Sequence, residues 1–155
     1  MKKLIFFLAI INIIGLSSCK KDEDPSKTEL LCRNSWILSA STFTPGIFIE
    51  DYGLITDYFA ILSNCRKDDL WDFNENGNYT LEDGPTKCDP LDPSVFDYGT
   101  WAFNSDETII IITSNLYYTT EYNVLELTEQ TLKVASMLVD TLSNAYTWTE
   151  TYTHP

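Results

Sequence analysis

Two hydrophobic patterns divide the chain. From Leu4 to Leu16 apolar residues run almost unbroken and offer no polar face, behind a basic start at Lys2 and Lys3. From Leu30 onward, short segments rich in Thr, Tyr, Ile, Val and Trp alternate apolar with polar positions and are cut by turn residues, as half-buried strands require. This alternation predicts strands over 33–43, 69–73, 78–82, 98–103, 108–113, 117–127, 131–139 and 145–153. Between the first two, Leu54, Tyr58, Ile61 and Leu62 recur at helical spacing and predict one short helix within 54–65. Consecutive strands with short links predict an all-β fold: an eight-stranded antiparallel up-and-down barrel, which closes on itself and leaves no free edge. A two-layer sandwich is the alternative.

One stretch, "DFNENGNYTLED" (72–83), carries two patterns at once. Asp72, Asn74, Asn76 and Gly77 have the spacing that opens an EF-hand calcium loop. Such a loop needs flanking helices and a bidentate Glu at its twelfth position, which here is Asp83, while the flanks alternate with period two. A three-residue loop, Glu75-Asn76-Gly77, instead pairs Phe73 with Tyr79 and Trp71 with Leu81. It also puts Gly77 where a left-handed residue is needed. The hairpin accounts for every residue, so no metal is assigned. Upstream, Lys67, Asp68 and Asp69 concentrate charge at a corner where Asp side chains satisfy free backbone N–H groups.

The leader is short for a permanent span and has the layout of a secretory signal. Its end, Leu16-Ser17-Ser18-Cys19, resembles the lipobox of bacterial lipoproteins, whose cysteine is lipidated and becomes the N-terminus. The resemblance implies a signal peptide at 1–18, a lipidated tether at 19–29, and a domain at 30–155. Lys20 after the cysteine, where retention in the inner membrane would call for Asp, implies an outer-membrane anchor. "KKDED" (20–24) resembles the acidic tags of surface-displayed lipoproteins, or serves as a plain solvated tether.

Charge and cysteines follow from export. The full chain holds 10 basic and 23 acidic residues, a net charge of −13, and loss of the leader removes Lys2 and Lys3 but no acid. So acidic a domain repels phosphate backbones, and no nucleic acid partner is expected. Past Cys19 stand Cys32, Cys65 and Cys88, and an oxidising compartment favours one disulfide among three pairs. Cys65 and Cys88 lie just outside the two ends of the candidate hairpin and are the preferred pair; Cys32 is read as a small buried hydrophobe. The one histidine, His154, is next to last, so neither zinc nor a nucleophile–base pair is assembled. No enzyme activity and no cofactor are expected.

A first-strand Trp36, the run "NCRKDDLWDFNENGNYTLEDGPTKC" and "YGTWAF" together resemble the lipocalin-like domains of small bacterial lipoproteins, from about Leu30 to Thr153. Cys65, Lys67, Asp68, Asp69, Phe73, Gly77, Tyr79, Cys88, Gly99 and Trp101 carry that resemblance. It implies an eight-stranded barrel and an apolar ligand cavity. The chain departs from lipocalins in having Asn34-Ser35-Trp36 for Gly-x-Trp and no Arg in its last strand.

In that last strand the threonines at 147, 149, 151 and 153 share one face, and Tyr146, Trp148, Glu150 and Tyr152 the other. With the aromatic face inward, Glu150 is an interior carboxylate among rings, a polar anchor in an apolar pocket or a group bonded to Tyr hydroxyls in a filled barrel. Trp71, Phe73, Tyr79, Trp101, Tyr146, Trp148, Glu150 and Tyr152 are the candidate ligand-binding residues, with Trp36, Leu81 and Phe103 also pointing inward. Two functions are expected: a binder of a small apolar or amphipathic ligand, or a filled barrel that engages an envelope protein. In the second, Leu91, Val95 and Phe96 of the long loop after Cys88 would be exposed.

Overall fold

The computed structural model describes residues 24–155; the leader, the lipobox and Cys19 lie outside the described residues. The chain opens on a short helix, α1 (Lys27–Cys32). Ser26 caps it: its Oγ accepts from Glu29 N at 3.2 Å, and its own N donates to the Glu29 carboxylate at 2.7 Å. That reciprocal pair is a capping box, written in the sequence as Ser26-x-x-Glu29. The helix takes in Lys27–Glu29, which the sequence reading gave to the tether.

Nine strands follow: β1 (Trp36–Ile49), β2 (Gly53–Asp57), β3 (Leu70–Phe73), β4 (Asn78–Glu82), β5 (Val95–Phe103), β6 (Ile109–Ser114), β7 (Thr119–Leu127), β8 (Leu132–Val139) and β9 (Ala145–Thr153). In the sheet order β2-β1-β3-β4-β5-β6-β7-β8-β9 each strand pairs antiparallel with the next, β1 meeting β3 at Trp36↔Trp71, and β1 also pairs with β9 from Ile37↔Thr153 to Thr44↔Thr147. Eight strands thus close a barrel, as the alternation predicted. The ninth, β2, is a flap that folds back on the far half of β1 through Ile47↔Ile55 and Phe48↔Leu54.

The helix expected within 54–65 is shorter and later. Residues 53–57 are strand, Phe59–Ile61 make a single 3-10 turn, and α2 is only Asn64–Lys67. Backbone pairing with β1 outweighs the apolar spacing, and Leu54, meant for the buried side of a helix, is 72% exposed.

One end of the barrel is solid. There α1 lies across the mouth, with Leu31 and Trp36 fully buried and the indole N–H of Trp36 donating to Leu31 O at 2.8 Å. Phe73, Trp101, Ile110, Leu132 and Val134 fill the space behind them. Lys27 Nζ donates to Glu107 O at 2.6 Å, and Arg33 pairs with Glu129 at 2.8 Å, so two turns of that end hold the helix in place. His154 stacks on Trp36, ring centroids 4.2 Å apart, and its ring nitrogens reach Ser35 O and Glu129 O.

Candidate ligand-binding cavity

The β3–β4 hairpin takes the register that the sequence predicts, with Phe73↔Tyr79 and Trp71↔Leu81. Gly77 sits at φ +81°, its N donates to Asn74 O at 2.9 Å, and Asn74 N donates to Asn78 O at 2.9 Å. Among the described residues, no group of three or more His, Cys, Asp or Glu side chains is arranged to hold a metal ion. At the corner before β3, Asp68 Oδ2 accepts from Thr86 N at 3.0 Å, and a Cβ on Gly84 would collide with the Asp68 carbonyl. The Cys65–Cys88 disulfide ties this corner to the loop before β5, and the Arg66 guanidinium lies 5.0 Å over the Phe96 ring.

β9 turns the face of Tyr146, Trp148, Glu150 and Tyr152 toward the interior, with Glu150 and Tyr152 buried. Its partner β1 reaches the same interior only by changing phase. A bulge between Leu38 and Ala40 moves the inward set from Trp36 and Leu38 to Ser41 and Phe43. Ser41 is then fully buried and accepts from the Trp148 indole N–H at 2.7 Å.

Above the filled end the interior opens into a cavity of about 200 Å³. Five of the eight candidate residues line it: Trp71, Tyr79, Trp148, Glu150 and Tyr152. The other three do not. Phe73 and Trp101 belong to the solid end, where they meet edge to face at 5.6 Å, and the Trp101 indole N–H donates to Asn74 O. Tyr146 stands too near the start of β9 and gives its hydroxyl to Asp140 at 3.1 Å. Leu81, Asp97, Ile112, Tyr118, Thr120 and Tyr122 complete the wall. Tyr118, Thr120 and Tyr122 were legible as one face of an alternating strand; the sequence does not say which face of β7 turns inward. Asp97 falls just before the strand predicted over 98–103, whereas β5 begins at Val95.

The two carboxylates of the cavity differ. Asp97 is saturated: Oδ1 accepts from Ser114 Oγ at 2.7 Å and from Tyr98 N at 2.9 Å, and Oδ2 from the hydroxyls of Tyr79 at 2.9 Å and Tyr118 at 3.3 Å. Burial, then the bond to Asp97, pushes the Tyr79 phenol well above its ordinary range. Glu150 is only 6% exposed, and its polar neighbour is the Tyr152 hydroxyl. Burial lifts its carboxyl to about 7, offset in part by Tyr152. Burial and the Glu150 charge together raise both Tyr122 and Tyr152. No basic side chain lines the cavity among the described residues. Trp71 anchors the aromatic wall, with ring centroids 5.3 Å from Tyr152, 5.6 Å from Tyr122 and 6.5 Å from Tyr79.

Residues 35–134 match the family model of the lipocalin-like domain. Among solved structures, bovine odorant binding protein in complex with a selenium-containing odorant is similar at 12% identity and a TM-score of 0.45, over 88% of this chain and 77% of that one. A deswapped triple mutant of bovine odorant binding protein is similar at 12% identity and a TM-score of 0.42, over 79% of this chain and 72% of that one. Among curated proteins no sequence match is found.

Proposed function

We propose, given that the chain belongs to the lipocalin-like domain family, that it is a lipid-anchored binder that holds a small molecule inside its barrel. One observation carries the reading: a closed barrel, solid at one end, keeps about 200 Å³ of aromatic-walled space at the other. A barrel of this size has side chains enough to fill itself, so retained space that opens past half-exposed Tyr118 is a binding feature. Leu16-Ser17-Ser18-Cys19 supports lipidation at Cys19, and Lys20 supports placement in the outer membrane, with the acidic run to Asp24 fitting display at the cell surface. The role is binding rather than catalysis.

Native mass spectrometry of the detergent-extracted full chain tests both parts. The expected result is a diacylglycerol mass on the mature N-terminus, lost in Cys19→Ser, together with a non-covalent adduct of a few hundred daltons. A bare, unlipidated chain would overturn the reading.

A second reading has its own support. On the loop between β4 and β5, Leu91 is 93% exposed, and Val95 and Phe96, the first residues of β5, are more than a third exposed. Exposed apolar residues on a disulfide-tied loop fit an envelope protein as partner. In that case loop substitutions, not cavity substitutions, would abolish capture of the partner.

A further inference from the structure

The unexplained feature of the cavity is its charge. Two carboxylates face one space of about 200 Å³. The ion pairs of the described residues, Arg33–Glu129, Arg66–Asp69 and Lys87–Asp83, all lie elsewhere. A buried carboxylate without a cation is costly, and folds normally pair it or solvate it. Asp97 is solvated by four protein donors. Glu150 has nothing comparable, and the remainder of its acceptor capacity is directed at the empty space. The surrounding surfaces are rings: Trp71, Tyr79, Tyr122, Trp148 and Tyr152 present π faces or phenol oxygens, both of which attract positive charge.

We propose that the ligand of this cavity is a small organic amine, bound as its ammonium ion, with the cationic nitrogen at Glu150 and its apolar body against Trp71 and Trp148. The inference rests on the ligand-binding reading and specifies its chemistry. The division of labour follows from hydrogen bonding. Glu150 supplies the open acceptor that an N–H of the ammonium can reach, and Asp97, its lone pairs already taken, contributes negative potential without contact. An anionic ligand, a fatty acid included, would bring a third negative charge into the same enclosure and is excluded by repulsion. The volume is also restrictive: at about 30 Å³ per water it equals roughly seven waters. That accommodates one ring with a short aminoalkyl arm and excludes a long acyl chain.

The test uses three probes of one shape on the full chain in detergent: 2-phenylethylamine, 2-phenylethanol and 3-phenylpropanoate, titrated by calorimetry and by quenching of tryptophan fluorescence. The amine is expected to bind at least tenfold tighter than the alcohol, with the acid silent. Glu150→Gln should remove that preference, bringing the amine down to about the affinity of the alcohol, and Asp97→Asn should weaken the amine less. Lowering the pH from 7.5 to 5.5 should weaken the amine about tenfold or more, because Glu150 then takes up a proton while the tyrosines around it stay neutral. Equal binding of alcohol and amine, or an amine preference that survives Glu150→Gln in a folded protein, would overturn the amine proposal and leave a binding cavity standing. Silence of all three probes, in calorimetry and in fluorescence alike, would overturn both.

Discussion

The two ends of this barrel are built from the same strands, yet one is packed and the other hollow. At the solid end Trp36, Leu31, Ile110, Leu132 and Val134 meet side to side, and α1 seals the mouth. At the open end the inward positions pass to Trp148, Glu150, Tyr122, Tyr118 and Asp97, more polar groups that line a space, with Tyr118 bonded to Asp97 and Trp148 to Ser41 at the wall. Tyr79 shows the change within one residue: it is 2% exposed and packs in the core, but its hydroxyl donates to Asp97. Apolar side chains gain by filling space, whereas bonded polar ones gain by keeping fixed positions around it. Stability and binding are thereby assigned to opposite ends of one sheet.

The largest test of that division truncates one indole at each end. Trp36→Ala should lower the free energy of unfolding by about 3–5 kcal/mol in urea titrations, because a fully buried ring leaves a cavity. Trp148→Ala, at the half-buried wall, should cost clearly less and should reduce the fluorescence response to the cavity ligand. Equal costs would break the comparison.

Glu150 gives the next effect, and its sign is opposite to that of an ion-paired acid. Burial lifts the folded carboxyl to about 7, against 4.5 for a glutamate in water. Below about pH 4.5 both folded and unfolded chains hold the proton and nothing is lost. As the pH rises toward 7 the unfolded chain releases it first, so stability falls, by up to about 3 kcal/mol above pH 7. Glu150→Gln should remove that part of the slope, seen as a difference between wild-type and variant unfolding curves from pH 4 to 8. Parallel curves would place Glu150 in contact with water.

The smallest effect belongs to a turn of the solid end. Gly77 is left-handed, and Gly77→Ala should cost about 1 kcal/mol through backbone strain alone, since the added Cβ would meet only Trp101 O at ordinary contact distance. Affinity at the other end should not change. A change in affinity would show that the two ends are coupled.

The shared faces of Trp71 with Phe73, Tyr79 with Leu81, and Trp148 with Glu150 and Tyr152 were enough to read the eight barrel strands, the hairpin register and six of the cavity residues. Those patterns are local, because a strand's side chains alternate whatever the strand packs against. The Cys65–Cys88 pairing was legible for the same reason, being set by the hairpin that the two residues flank. The capping box at Ser26 was present in the letters but had no expected helix to belong to.

Other features depended on partners distant in sequence. The helical spacing over Leu54–Leu62 yielded to pairing with β1, because a ladder of backbone bonds outweighs a chance apolar stripe. The bulge after Leu38 reversed the facing of β1 and buried Ser41, a register fixed by β9 more than a hundred residues away. Asp97 became a cavity residue only when β4 drew the end of a long loop into the sheet. The sequence by itself determined an antiparallel all-β fold with an aromatic inward face and one carboxylate, Glu150, among the rings, since periodicity and residue type are carried by each strand alone. Only the tertiary structure decided which end is filled and which is hollow, because that depends on how eight strands stagger and where α1 comes to rest.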